Sequence, residues 1–452
     1  VLTALLAHGS AGLAGDGVPG GLLYAAVVAG SVIGAVGLRA RGAATPVGGP
    51  AVPTLSVDGA EAGRWPGDGL PTPVRLAGQV LGVALLALVL AVGWFGSDLS
   101  GLNPMPLLLV AVVWWTVPLL AWILGDWWRV VDPHDAIAAA IDRVRGRPTP
   151  PVGPAASDDE AGDWWVPAAL LATFAWMLTC WLDGLAPRHL AAWVSALTVV
   201  MVVGAVRGGR GWVRRNSPLA VLCGTIAAAS PVAWDGGRVR LRSPLRGLAR
   251  RAGGRRSFAV LAVVLGATVW EAVAGTRWWA DITGGSTGAR STLWSTFGLV
   301  WCTVGVAGAW VLVARLAEVT AAPSGGEELH EPLAADLVAA LGPLAAVGVF
   351  VHQLATWLTY VQDLVVLGLD PFSEGWDLFG TSSWRTNEEL LSAGVRSWIQ
   401  IVLLGLALGV MLVAGWDRMA SRVGTAVARA GWTLAAWTAG SGSVALWLLL
   451  GA

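Results

Sequence analysis

Residues 76–96 read LAGQVLGVALLALVLAVGWFG, and residues 105–125 read MPLLLVAVVWWTVPLLAWILG. Each stretch holds 21 residues without one charged side chain, and a helix needs about 20 such residues to cross a bilayer's hydrocarbon core. No water is available there, so every backbone N–H and C=O must be satisfied within the segment, which selects a helix. Both stretches therefore read as membrane-spanning helices.

The rest of the chain repeats this pattern. Comparable apolar runs lie at 21–38, 166–182, 190–206, 257–275, 291–314, 334–360, 394–416 and 431–451. Of the 452 residues, 55% are hydrophobic and 13% charged, where a globular domain carries about 25% charge. The sequence predicts an all-α integral membrane protein, a single polytopic domain over 1–452 with about ten transmembrane helices. A further run at 217–234 would make eleven if it crossed.

Arginine decides that question and the orientation. The chain has no lysine, so all 29 basic residues are Arg. This excludes phosphate loops, Schiff bases and serine–lysine dyads, which need a lysine amine. The 29 acids bring the net charge to zero, which gives no reason to expect a nucleic-acid partner. With the N-terminus outside, the loops 39–75, 126–165, 207–256, 315–333 and 417–430 face the cytoplasm and hold 24 of the 29 Arg. Basic residues concentrate in cytoplasmic loops, so both termini are expected on the extracytoplasmic side. Arg clusters flank 217–234 on both sides, and a re-entrant or interfacial segment keeps both clusters inside. The bilayer is the expected partner, and Arg-rich loops suit anionic headgroups.

The loops are read as connectors. Residues 39–75 and 146–163 are rich in Gly, Pro, Ala and acids and read as flexible cytoplasmic segments. Residues 207–256 form an Arg-rich cytoplasmic region, and 361–393 an acidic outer loop containing the turn-like DPFSEGWDLFGT. The first apolar run has no basic segment before it, so no cleavable signal peptide is expected. Cys180, Cys223 and Cys302 sit in apolar runs and read as small buried hydrophobes. Twenty-eight of the 37 aromatic residues are Trp, and pairs such as Trp127–Trp128, Trp164–Trp165 and Trp278–Trp279 sit near span ends, where indoles anchor at the headgroups. Gly30–Gly34 and Gly405–Gly409 have GxxxG spacing, which permits close helix contact.

Against this background two ionisable residues stand out inside spans. Glu271 (GATVWEAVAG) and His352 (AAVGVFVHQLATW) both fall in the outer half of inside-to-outside helices. Charges there are expensive and mark functional sites. A carboxylate beside an imidazole can bind a divalent metal, relay a proton or act as a general base; the alternative is a bond that fixes helix packing. His8, Asp183, His189 and Asp281 are expected at the same depth, and with them an outward-facing metal site becomes conceivable, with His8, Glu271 and His352 as its ligands. His330 reads as solvated. In GDWWRVVDPHDAI, Asp132 caps a helix that starts at Pro133 and Asp135 suits its positive end; His134 falls at this helix start, which reads as an interfacial anchor. Gly284–Gly285–Ser286–Thr287–Gly288 matches GxSxG in letters, but that motif needs a strand–turn–helix elbow, and a loop between two membrane helices is expected here.

Several motifs resemble one family. NPMPLLLVAVVWWTVPLLAWILGDWWRVVDPHDAI is similar to the NPxPT…W…GdxW…NPWRA segment of bacterial fenitrothion hydrolase-like membrane proteins, and GGRGWVRRNSPLAVLCGTIAAASPV to their GRxxWLR…F…GLxARxAP. DPFSEGWDLFGT is close to their DPxGxGWDLFGT, and the N-terminal AHG, the TRWW after Glu271 and the terminal WDRM follow in the same order. The resemblance implies a bacterial inner-membrane protein of the phosphotriester hydrolase class, acting on an apolar small-molecule substrate. In it His8 matches the AHG, His352 the family's histidine on the equivalent helix, Glu271 a position often held by Asp, and Asp377 lies in the GWDLFGT block. The chain departs from the family where relatives carry a His in the next-to-last helix and an AHDRA end; here stand GLALGVML and AGWDRMA, with Trp416 at the second His. NPWRA has become DPHDA. The rival expectation is a non-enzymatic permease or metal-handling protein using the same Glu and His residues.

Overall fold

The computed structural model describes residues 70–147, 162–235, 238–242, 248, 254–321, 337–376, 380 and 384–423. The stretch quoted first becomes α1 (Thr72–Phe95). Pro73 opens it without cost, since the first turn's N–H groups have no intrahelical partner. One face is bare: Val74, Leu76, Val80, Leu81, Leu85 and Leu88 are exposed, as lipid-facing side chains are. The packed side holds Gln79, Val92 and glycines that let a neighbour come close. A Cβ on Gly82 would lie 1.9 Å from the Val131 carbonyl oxygen, and one on Gly78 2.8 Å from that of Val130. This is the close approach that GxxxG spacing allows. It occurs at a pair that the sequence reading passed over, while Gly405 and Gly409 have nothing within 4 Å.

Asn103 joins α1 to α2 (Pro104–Leu124). Its side chain accepts from the Met105 N–H at 2.9 Å and donates to the Val92 carbonyl at 3.0 Å. Within α2 the stretch Leu108–Thr116 is a π-helix, and the Val117 N–H reaches back five residues to Val112. Pro118 follows at once. It has no N–H to give and crowds the preceding turn, and the wide turn relieves that crowding. π-Turns are frequent at functional sites.

Helix α3 (Pro133–Val144) starts as expected, with Asp132 accepting from the His134 N–H at 2.9 Å. Its surface role needs correction, because Asp135 is buried and holds two arginines of α5 (Pro187–Asn216). Between them lies α4 (Val166–Thr179), 14 residues long. At 1.5 Å per residue it reaches only about 21 Å, short of the ~30 Å core, so the run at 166–182 is not a span by itself. It is apolar because the protein buries it: Leu171, Phe174, Ala175 and Met177 are all core.

The segment 217–234 forms α6 (Pro218–Ile226), too short to cross alone, and a single 3-10 turn at Ala227–Ala229. From Ser217 to Ser230 every residue but Leu219 is buried. An unforeseen antiparallel hairpin follows, β1 (Val232–Asp235) against β2 (Arg238–Leu241), with Val232 opposite Leu241. It closes the end of α2, where Trp234 Nε1 donates to the Leu124 carbonyl at 2.8 Å. Arg242 donates to the Ala227 carbonyl at 2.6 Å and so caps the turn behind α6.

The remaining helices are α7 (Arg255–Ala274), α8 (Arg277–Thr283), α9 (Gly288–Ala321), α10 (Gly342–His352), α11 (Leu354–Leu369) and α12 (Ala393–Val423). Helix α7 is the central one, packed by α4, α6, α9 and α10. The molecule is an all-α membrane protein, but the count of ten spans is corrected. Among the described residues six helices are long and apolar enough to cross. The run at 334–360 is a bent pair, α10 and α11, turned by 73°, which makes seven if it is one span. The runs at 21–38 and 431–451 lie outside the described residues.

Candidate functional site

Helix α7 delivers Glu271 to the middle of the bundle. Its neighbour Trp270 fixes the rotation of the helix by filling a notch in α9, where a Cβ on Gly298 would lie 2.1 Å from the indole ring. Gly266 does the same one turn earlier against Thr303. Glu271 is thereby 7% exposed, among Trp114, Trp270 and Cys180. Its hydrogen-bond partner is an uncharged amide: Gln353 Nε2 donates to Oε2 at 3.3 Å. The Trp114 indole faces the same carboxyl without closing a hydrogen bond.

Gln353 sits at the break between α10 and α11. Its φ of −103° and ψ of 13° leave the helical region, and Gln400 Nε2 steadies the freed backbone by donating to the Val351 carbonyl at 2.9 Å. His352 is the last residue of α10, half-buried, and its imidazole has no hydrogen bond to any described residue. Glu271 is bonded to Gln353 and His352 precedes that residue in the chain, but no bond joins the carboxyl to the imidazole.

The other candidates separate. His8, His330 and Asp377 lie outside the described residues. Asp183 and Asp281 are exposed. His189 stacks on Trp181 with centroids 4.4 Å apart and bonds the Asp183 carbonyl oxygen at 2.9 Å, a local loop contact. Ser286 lies in a turn between α8 and α9, flanked by Gly284 and Gly285 at φ near +60°, so no nucleophile elbow forms. Among the described residues no three His, Cys, Asp or Glu side chains cluster as a metal site would require. Glu271 and His352 alone do not make up a divalent-ion ligand set.

Four residues of the site escaped the sequence reading. Beyond Gln353, helix α11 presents Thr356, Tyr360 and Asp363, the last two lining a cleft of about 300 Å³ together with Pro106, Val110, Leu185 and Trp384. Tyr360 stacks on the buried Trp115 of α2 at 5.8 Å. Asp363 belongs to α11, which continues to Leu369, so the outer loop expected at 361–393 starts only there. That loop is tied over the cleft: Thr386 donates its hydroxyl to Asp363, Gln362 and Asn387 exchange bonds of 3.0 Å, and Asp370 accepts from the Glu374 and Gly375 N–H groups. The turn-like DPFSEG is therefore a loop closed on the Asp370 carboxylate, with Ser373 at φ 58° and Gly375 at φ 85°. A spacing of 3, 4 and 3 polar residues in an apolar helix was the available signal.

At the opposite end of α2 lies a second polar cluster. Asp135 accepts from Arg210 through both oxygens, at 2.8 and 2.5 Å, and from Arg214 Nε at 2.9 Å. Asp142 accepts from the Arg210 backbone N–H at 2.9 Å, next to the kink where Gly209 adopts φ 69°. Asp132 accepts from the Ser217 hydroxyl at 2.8 Å, and His134 meets Thr198 at 3.4 Å. Burial pushes the His134 imidazole below its ordinary value near 6.5, although the Asp132 carboxylate pulls the other way.

Comparison with protein-family models, curated proteins and solved structures finds no match to this chain.

Proposed function

We propose that the protein is a hydrolase of the bacterial plasma membrane, acting on neutral phosphotriesters or related apolar esters at an outward-facing site around Glu271 and His352, with both termini extracytoplasmic. The observation that carries this reading is a buried carboxyl whose bonded partner is a neutral amide at a helix break. A structural carboxylate in such a place is normally paired with a cation, whereas a general base must be left able to take a proton. The motif resemblance to fenitrothion hydrolase-like proteins supports the same class. The Arg distribution supports the orientation.

In this mechanism Glu271 removes a proton from water as its oxygen attacks phosphorus. The new P–O bond forms while the bond to the leaving alkoxide or aryloxide breaks, and that oxygen takes up the proton. Gln353 and Trp114 offer N–H donors to the phosphoryl oxygen, where negative charge develops. His352, one residue from Gln353, orients or protonates the leaving group. An uncharged ester partitions into lipid and reaches the site without an aqueous tunnel. The helix break also suits a permease, since discontinuous helices frame transporter sites. In that reading the ester is bound and released intact.

The test is turnover of a chromogenic neutral phosphotriester by the purified full chain, with and without added divalent metal. Glu271→Gln is expected to lower kcat/KM by about 10²–10⁴-fold, the usual contribution of a general base. Absence of turnover in the wild type under both conditions, or a Glu271→Gln variant as active as the wild type, overturns the reading. Ester uptake into vesicles without product then selects the permease.

A further inference from the structure

Gln353, Thr356, Tyr360 and Asp363 recur at intervals of 3, 4 and 3 residues, which places them on one face of a helix. Over ten residues at 1.5 Å each they form a seam about 15 Å long. At one end Tyr360 and Asp363 line the cleft, and at the other Gln353 donates to Glu271 at 3.3 Å. Between the two ends the structure leaves polar atoms open. The Thr356 hydroxyl and the Gln353 Oε1 atom are buried with no hydrogen-bond partner among the described residues, and the two residues are 7% and 3% exposed. Across the seam, on the π-helical stretch of α2, the indole N–H groups of Trp114 and Trp115 are buried and open as well.

Buried polar atoms in native proteins are bonded to protein or to ordered water, and a buried water needs several polar partners. Here the open oxygens belong to Gln353 and Thr356 of the seam, and the open indole donors to residues beside its two ends, Trp115 stacked on Tyr360 and Trp114 facing Glu271. An apolar ligand would leave all four unbonded, and a cation would meet the two N–H groups with the wrong sign. Water satisfies both kinds of atom.

We infer that this seam is a hydrated path: a file of water molecules joins the cleft to the Glu271 carboxyl, held by Gln353, Thr356, Trp114 and Trp115. Tyr360, stacked on Trp115, stands where the path leaves the cleft. This deepens the reading above, because the path supplies the water that the hydrolysis consumes, while an apolar ester arrives from the lipid side.

Single cysteines test the path in the detergent-solubilised full chain, where either face is open to reagent. Cys180, Cys223 and Cys302 are replaced by alanine. Thr356→Cys, Tyr360→Cys and the lipid-facing control Val365→Cys are each exposed to a charged, membrane-impermeant thiol reagent. Only a hydrated thiol ionises, and the thiolate is the reactive form, so Thr356→Cys and Tyr360→Cys are expected to react at least about tenfold faster than Val365→Cys. Thr356→Cys reacting no faster than the control overturns the inference. A monodisperse elution profile for each variant, with Thr356→Ser alongside, guards against misfolding. Fast labelling without ester turnover retains the path and removes the hydrolase, whereas turnover without labelling does the reverse.

Discussion

Among the described residues the protein holds two buried carboxylate centres, and they are bonded in different ways. Asp135 receives three N–H bonds from two arginines, and the neighbouring Asp132 and Asp142 take bonds from Ser217 and from the Arg210 backbone. Glu271 receives one long bond from an amide, in surroundings where several polar atoms have no partner. At the first centre both oxygens of Asp135 are taken by arginines, which locks α3 to α5, although Asp142 Oδ1 is open among the described residues. At the second the carboxyl is bonded to a neutral amide and to no cation among the described residues, the state that the proposed general base needs.

The contrast breaks most readily at the first centre. Asp135→Ala leaves two buried guanidinium groups without their shared carboxylate, and removing one member of a buried ion pair costs about 3–5 kcal/mol. Thermal unfolding in detergent should show that loss, while ester turnover per folded molecule stays unchanged. A milder effect is expected from packing at the same end of the bundle. Gly82→Leu forces a side chain into the Val131 carbonyl and should cost about 1–3 kcal/mol as overpacking does. Gly405→Leu, where nothing lies within 4 Å, should leave the unfolding temperature unchanged.

The smallest effect concerns pH. The unfolded His134 side chain takes up a proton as pH falls through its ordinary value near 6.5, while burial keeps the folded imidazole neutral to lower pH. The unfolded state then binds more protons, so this histidine's contribution is present above that value and is lost as pH falls below it. Burial pushes the Asp132 carboxyl up, and its own contribution weakens as pH rises. Comparing the wild type with His134→Leu isolates the histidine: between pH 7 and 5 the wild type should lose more stability than the variant, by about 1 kcal/mol or less. Parallel pH profiles would show that His134 does not titrate between the two states.

Much of the architecture was legible because lipid-facing helices must be apolar over a fixed length. α1, α2, α7, α9 and α12 were all anticipated by their runs. Hydropathy fails where protein replaces lipid as the apolar surroundings, so α4 looked like a span although it is a short core helix. It also fails at a break: His352 and Gln353 are two polar residues in a long apolar run, too few to show that the chain turns by 73°. The hairpin was hidden among arginines, although Asp235–Gly236–Gly237 carries a turn signal. Glu271 was legible because a charge in an apolar run is conspicuous. Gln353 was not, since an amide carries no charge and its role depends on which helix α7 faces. The seam of Thr356, Tyr360 and Asp363 was readable as spacing, but its outer member falls in the stretch that reads as a loop.

The most direct test of the second centre is Glu271→Gln, measured for unfolding temperature and for phosphotriester turnover on the same preparation. The amide keeps an oxygen for the Gln353 N–H, so stability should stay within about 1 kcal/mol of wild type, the net worth of one hydrogen bond, while turnover falls at least about a hundredfold. A variant that unfolds as readily as Asp135→Ala and hydrolyses ester at the wild-type rate would show Glu271 to be a packing residue and contradict the account.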